Sequence, residues 1–336
     1  MSFKRFDSED FIVSSDSITS TLWSTNSPTL TEFYTSSVQA AGSSGNFYLS
    51  VYQTASTEAD SITQFDIAYA DVKGSGSEYY NAAVVGKSPS LSTYGQYRAL
   101  ILEDENSSFI FGTENNVITA ENFWVLSMER ARYKESLFPG SLNLKLSGSN
   151  GIISLTDNSK DVLVNTFVGS SRVLQLVSGS NGSAYSSDGY VANSGSYGLV
   201  FPELGTILLN PSAISQSIHV DALRTANSTN GVNNTILYNS TVLGASFGLN
   251  SQETITSDYI FIRARNSEFN YTQNPTFISG STGEVIYDNF INNPQTYITS
   301  IGLYNDSNEL LSIAKLSRPL IKDFTKEALV RVKLDF

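Results

Sequence analysis

Apolar and polar residues alternate with a period of two through much of the chain. The runs at 47–52, 65–69, 142–146, 173–177 and 259–264 are short and rich in β-branched or aromatic residues. Each is bounded by Gly, Ser, Asn or Asp, which predicts strands rather than helices. One apolar and one polar side per strand is the pattern of antiparallel sheets with a face in water. The turn chemistry agrees. The pentapeptide Ser-Gly-Ser-Asn-Gly follows an alternating run at 147–151 and again at 178–182. Asn-Gly supplies the positive φ angles of tight turns, so both copies are predicted to be hairpin tips.

Helical patterns are few. After Pro89, residues 90–102 place Leu91, Tyr94, Arg98 and Ile101 at helical spacing, with Ser90 as the cap. Residues 128–136, closed by Pro139-Gly140, read either as a second helix or as a continuation of the strand at 123–126. The expected fold is mainly β, with antiparallel β-sandwich or meander regions and one or two short helices. Three regions are expected. Residues 1–150 form a β-rich domain with the short helices. Residues 151–257 form a Ser/Gly/Asn-rich β region with exposed loops, the stretch 227–239 among them. Residues 258–336 form a C-terminal β-meander packing on the first domain.

That C-terminal region reads as three successive strands. One runs through Ile301 and Leu303, turns at 305–308, and returns through Leu311 and Ile313. Pro319 is expected to break the pairing. The last strand sets Leu329, Arg331 and Lys333 against Val330, Val332 and Leu334.

Composition narrows the function. The 336 residues carry a net charge of −12, which argues against nucleic acid as a partner, since phosphate binding needs a clustered positive surface. A locally basic end, 315–336, reads as a solvated strand face or a patch that meets an acidic neighbour. Only 15% of residues are charged, against about 25% in ordinary soluble domains. With 18 Tyr and 19 Phe, this is a composition that suits interfaces. The absence of Cys fits a reducing cytoplasm. The start lacks a signal-peptide pattern, and no run reaches the ~20 apolar residues of a membrane span. Secretion by the standard route and membrane insertion are therefore not expected.

Candidate chemistry is sparse. His219 is the only histidine, and its alternating surroundings read as a strand surface. One His without Cys leaves no ordinary zinc site or Ser-His or Cys-His nucleophile within one chain. Glu103-Asp104-Glu105 reads as a solvated turn, and Gly74-Ser75-Gly76-Ser77 as a flexible linker that matches no phosphate-binding pattern. No cofactor, metal or catalytic residue is expected.

The most specific segments are 293–306, 309–319 and 328–336, together with Tyr94-Gly95-Gln96-Tyr97-Arg98, residues 129–140 and residues 269–277. Together they resemble tail and baseplate proteins of contractile-tailed bacteriophages. In length and in its β-strand C-terminus the chain is similar to the peripheral dimeric baseplate-wedge subunit of T-even-like phages. The resemblance implies a β-sandwich with appended helices and no active site. It implies a virion protein of the tail baseplate, assembled in the host cytoplasm. Its partners would be other baseplate and tail-fibre proteins, with a homodimer among the implied assemblies. Related C-terminal segments are also similar to the attachment ends of tail fibres. A tail-fibre adaptor or receptor-binding tail protein, using exposed Tyr and Trp such as Trp23, is the alternative. In the N-terminal arm, Phe3, Phe6 and Phe11 read either as a docking segment or as buried ring anchors.

Overall fold

The computed structural model describes residues 4–22, 32–35, 48–52, 63–78, 80–84, 88–113, 117–186, 189–191, 193–225, 232–244, 246–271 and 275–335. The protein is mainly β, 46% strand and 17% helix, with antiparallel sheets that include a curled half-barrel. Strands β1 (Phe11–Thr21), β2 (Glu32–Thr35), β3 (Tyr48–Tyr52) and β4 (Thr63–Asp71) precede helix α1 (Pro89–Tyr97). Then come β5 (Ile110–Phe111), β6 (Ile118–Thr119), β7 (Asn122–Met128), β8 (Ser136–Leu137), β9 (Asn143–Gly148) and β10 (Gly151–Asp157). They are followed by β11 (Thr166–Val168), β12 (Ser171–Ser180), β13 (Ser183–Ala184), β14 (Gly198–Phe201) and β15 (Thr206–Leu209). Helices α2 (Pro211–Ile218) and α3 (Val232–Gly244) lead into β16 (Phe247–Gly248) and β17 (Asn250–Ala264). Helix α4 (Asp288–Asn292), β18 (Thr296–Tyr304), β19 (Leu310–Lys322) and β20 (Ala328–Asp335) close the chain.

The chain divides into two compact units, residues 18–253 and residues 1–17 with 254–336. In the larger unit one antiparallel sheet runs in the order β16-β9-β10-β12-β14-β15-β7-β4-β3-β2, with β11 and β13 beside β12. The outer strands keep a wet face. In β9, Leu144 and Leu146 are buried while Lys145 is exposed. The central strands do not. Every residue of β14 and β15 is buried, and so is all of β7 except Ser127. Phe65, Ile67, Trp124, Leu126, Ile207 and Leu209 face one core, shared with Ala213, Ile214 and Ile218 of α2 and Leu237 of α3. The alternate residues Ala68, Phe123, Val125, Leu199, Phe201 and Leu208 face a second core, with Tyr94 of α1, Ile101, Phe109 and Phe111. The one-wet-face expectation therefore fails at the centre, because helices cover one side and α1 with the β5–β6 hairpin covers the other.

Both pentapeptides are hairpin tips, in different registers. In the β9–β10 hairpin Gly148 pairs with Gly151, so Ser149 and Asn150 form the turn. In β12–β13, Ser180 pairs with Ser183 and the turn is Asn181-Gly182, with φ of 51° and 83°. Two positive φ values in succession are what a right-twisted two-residue hairpin demands. The first tip also means that the 150/151 boundary read from composition falls inside a hairpin. Residues 257 and 258 likewise adjoin within β17.

The helices depart furthest from the sequence pattern. Helix α1 starts two residues earlier than read, with Pro89 in its first turn and Ser88 in place of Ser90 as the flanking residue, and a π turn at Arg98–Leu102 ends it. The 128–136 stretch continues strand β7 to Met128 and then forms a 3-10 turn, Arg130–Arg132. From residue 232 the anticipated loop is helix α3. Its buried stripe is Asn233, Asn234, Leu237, Tyr238, Ser240, Thr241 and Gly244, spaced by three and four but half polar, so it carries no hydrophobic period. Gly244 lets the helix approach β9, since a Cβ there would lie 2.0 Å from the Lys145 carbonyl oxygen.

Helix α2 is set by its cap. Asn210 is buried, and its Oδ1 accepts from the N–H groups of Ser212 (3.1 Å) and Ala213 (3.5 Å). Its Nδ2 donates to the carbonyls of Ser194 (2.6 Å) and Ser196 (2.7 Å). Pro211 at the first helical turn needs no donor of its own. Substituting Asn210→Ala removes the cap and strands two buried carbonyls. It should cost about 2 kcal/mol in urea denaturation with an unchanged denaturant slope.

Candidate functional site

Two structural features draw chemistry-bearing side chains together. The first, in the larger unit, is a polar knot at the end of β4. Asp71 is fully buried, and its Oδ1 accepts from the N–H groups of Lys73 (2.8 Å) and Ser75 (3.1 Å). Its Oδ2 accepts from Arg224 Nε at 2.8 Å, and Arg224 Nη1 reaches Glu121 Oε2 at 2.9 Å. The hydroxyl of Ser90 donates to the Ser75 carbonyl at 2.9 Å, and that of Ser88 donates to the Gly74 carbonyl. Asn233 closes the knot. Its Nδ2 donates to the Gly76 carbonyl (2.7 Å), its Oδ1 accepts from the Leu223 N–H (2.8 Å), and its own carbonyl receives the Trp124 indole N–H (2.9 Å).

The stretch 74–77, read as a flexible linker, is thus a packed loop. Gly74 and Gly76 have φ of 77° and 73°, and a Cβ on Gly76 would meet Asn233 Nδ2 at 2.6 Å and the Leu223 carbonyl at 2.7 Å. Beside the knot, burial pushes the Tyr69 phenol pKa up, partly offset by the hydrogen bond from Asn122 Nδ2. Every element of the arrangement is satisfied by protein, which suits fastening rather than ligand capture.

The second feature belongs to the smaller unit. Its strands β1, β17 and β20 form one sheet in that order, and β18 pairs with β19 in a separate two-stranded sheet. The last strand therefore does not complete a meander with β18 and β19: Tyr259 pairs with Lys333 and Ile262 with Val330. Its alternation is as read, with Val332 buried and Leu329, Arg331 and Lys333 exposed. Pro319 interrupts pairing without ending the strand. Ser300 pairs with Lys315 and Ile298 with Leu320, leaving 316–319 as a bulge before the ladder resumes.

The turn is held by Asn305, whose Oδ1 accepts from the Glu309 N–H at 2.8 Å, and Asn308 takes a φ of 60°. Across the two sheets only Ile260, Leu303 and Val332 form a buried cluster, with Ile262, Ile301, Ala314 and Leu334 against it. Lys322 is fully buried, and its ammonium donates to Asn270 Oδ1 (2.8 Å) and to the carbonyls of Asp323 (2.9 Å) and Asn266 (3.0 Å).

A groove of about 1840 Å³ runs through this unit. Every residue of β18 lines it, but only Leu310 and Ile313 of β19 do. The facing wall includes Lys4, Arg5, Phe6 and Asp10 of the N-terminal arm and Ile262 to Ala264 of β17. The arm is fastened by Lys4, whose ammonium meets Glu268 Oε2 at 2.9 Å. At one end stand Phe277 and Phe290, whose ring centroids are 5.5 Å apart.

The residues singled out from sequence fall as follows. Phe6 lines the groove, Phe11 opens β1, and both rings are 46% exposed, so neither is a buried anchor. Phe3 and Trp23 lie outside the described residues. His219 is no strand residue; it ends α2 with a φ of 53°. Glu103, with a φ of 56°, accepts from the hydroxyl of Ser170 at 2.5 Å, and Asp104 accepts from the Asn106 N–H at 3.1 Å, as in a solvated turn. Among the described residues no three His, Cys, Asp or Glu groups gather into a metal-binding cluster. No described helix is long and apolar enough to cross a membrane. The groove was invisible to sequence reasoning, although the uncharged run of β18 was within the segment singled out. No protein-family model, curated protein or solved structure matches the chain.

Two outcomes follow. Asp71→Ala removes one of the two carboxylates that Arg224 meets, leaving Glu121, and unbonds two loop N–H groups. It should cost about 3 kcal/mol of stability by chemical denaturation. Asp66, on β4, has its pKa raised above 3.8, first by burial, against a hydrogen bond from Ser50, with the Glu129 charge adding to the rise. Its folded form holds a proton more readily than the unfolded chain, so it withdraws stability as pH climbs above 3.8. Asp66→Asn should therefore raise the melting temperature at pH 7, and the gap should close as pH falls to 3.8.

Proposed function

We propose that this chain is a structural subunit of a contractile phage-tail baseplate, a wedge component that links neighbouring baseplate proteins. The observation that carries the reading is an imbalance in the smaller unit. Among its described residues, the buried apolar side chains are Ile260, Ala264, Leu303, Ala328 and Val332. Seventeen large hydrophobics there are exposed, including Leu311 (68%), Phe324 (63%), Ile291 (60%) and Tyr297 (58%). Set against so few buried ones, exposed apolar side chains in that number support contact with other proteins. A two-stranded sheet such as β18–β19 is marginal in water until something packs against it. The resemblance of the C-terminal segments to tail and baseplate proteins supplies the identity of the assembly.

The work of such a subunit is mechanical. It holds neighbours in register and moves with them as a rigid body when the sheath contracts. The larger unit, with the central strands of its sheet buried on both faces, suits that role because a packed core transmits strain. A receptor-binding or fibre-adaptor role is favoured by the exposed tyrosines Tyr271, Tyr287 and Tyr297. Mass spectrometry of purified virions from the encoding phage should find the polypeptide, and antibody labelling should place it at the baseplate. Absence from virions ends the proposal. Binding of the isolated chain to host cells or polysaccharide, without binding to tail proteins, transfers it to the receptor-binding reading.

A further inference from the structure

The pentapeptide Ser-Gly-Ser-Asn-Gly closes two hairpins of the larger unit and sets the same reactive pair in two surroundings. An Asn followed by Gly can close on itself, because the Gly nitrogen reaches the Asn side-chain carbon with no Cβ in the way. In a folded chain the rate depends on how firmly that side chain and that nitrogen are held. The two copies share five residues, so a difference between them comes from the fold. The further Asn-Gly at 230–231 lies outside the described residues.

At 181–182 both reacting groups are held. The Asn181 side-chain oxygen accepts from Asn143 Nδ2 at 2.8 Å, and the Asn181 N–H donates to Asn143 Oδ1 at 2.9 Å. The Gly182 N–H donates to Thr156 Oγ1 at 2.8 Å in a buried position. A Cβ on Gly182 would lie 2.7 Å from Gly140 Cα, so this tip is also tightly packed. Ring closure here must wait for those bonds to break and the packing to open.

At 150–151 little is held. Asn150 and Gly151 are both exposed, and no described atom lies within 4 Å of the Cβ position on Gly151. The Asn150 side chain makes one long contact, from Nδ2 to the Ser217 carbonyl at 3.4 Å, and its N–H reaches the Ile218 carbonyl at 3.3 Å. Gly151 opens β10 in the pair next to the turn, so fraying of the tip alone frees its nitrogen.

We propose that Asn150 is a site of spontaneous deamidation, from which the fold shields Asn181. The deprotonated Gly151 nitrogen attacks Asn150 Cγ, a C–N bond forms, and the side-chain nitrogen leaves as ammonia. Water then opens the cyclic imide at either carbonyl, giving Asp or an isoaspartyl link at residue 150. One water is consumed and one ammonia released, with no oxidant or reductant. The product changes what the tip meets. Ser217 and Ile218 lie at the end of α2, where backbone carbonyls carry the negative pole of the helix. Asn150 offers them a donor, whereas a carboxylate offers none and adds like charge, so the tip loosens from α2.

The test keeps the full chain folded at mildly alkaline pH and samples it over weeks. Cleavage after Lys145, Lys160, Arg172 and Arg224 puts Asn150 and Asn181 on separate peptides, and fragment masses assign amide-to-acid conversion to each. Asn150 should convert at least about tenfold faster than Asn181, the weight of one or two net hydrogen bonds. In urea the two rates should converge, since the pentapeptide is the same. Asn150→Asp should speed hydrogen exchange of its own N–H by about twofold to fivefold. The proposal is overturned if folded Asn150 converts no faster than Asn181, or if the gap persists in urea. Unchanged exchange in Asn150→Asp overturns the loosening from α2.

Discussion

The constraint on which the structure depends is that its central sheet must be covered on both faces. Strands β14 and β15 offer no polar side to water, so each face needs a lid of apolar side chains. Trp124, Phe65 and Leu209 face α2 and α3, while Phe123, Phe201 and Leu208 face α1, Phe109 and Phe111. Burial of one such aromatic or aliphatic side chain contributes roughly 1.5–3 kcal/mol, and several per strand make the arrangement of helices obligatory. Short helices with little propensity of their own persist because the sheet needs them.

Covering an antiparallel sheet on both sides brings loops inward, and their backbone groups must then bond to something. Asp71, Asn210 and Asn233 meet that demand. Each is buried; Asn210 and Asn233 collect backbone carbonyl or N–H groups from other segments, and Asp71 holds the N–H groups of its own loop while pairing with the distant Arg224. Asp157 does the same for the N–H groups of Gly140 and Ser159. Lys322 serves the smaller unit as a buried donor to three oxygens. Buried polar groups of this kind specify one arrangement, because any other leaves them unbonded.

The two units differ in the size of their buried core. The larger one builds two extensive clusters, although Leu163, Phe167 and Leu243 among its apolar side chains stay exposed. The smaller one buries a small cluster, and Leu311, Tyr297 and Phe324 are among its exposed side chains. That contrast is what supports the proposed role in a tail assembly.

The alternating runs determined by themselves that the protein is antiparallel and mainly β, and the two Ser-Gly-Ser-Asn-Gly segments determined where hairpins turn. Strand alternation is a local property: Val330, Val332 and Leu334 share a side whatever lies opposite. Which strand lies opposite is a long-range matter, so β20 joins β17 rather than β19. The helix at Val232–Gly244 was hidden because its buried stripe rests on Asn, Ser, Thr and Gly, whose burial only the neighbouring loop and strand make tolerable. Phe6 could be read as docking or core, and tertiary structure alone left its ring half in the open beside a groove. The physical reason is the same throughout. Periodicity encodes a segment's own two faces, whereas pairing and cover arise only when distant segments meet.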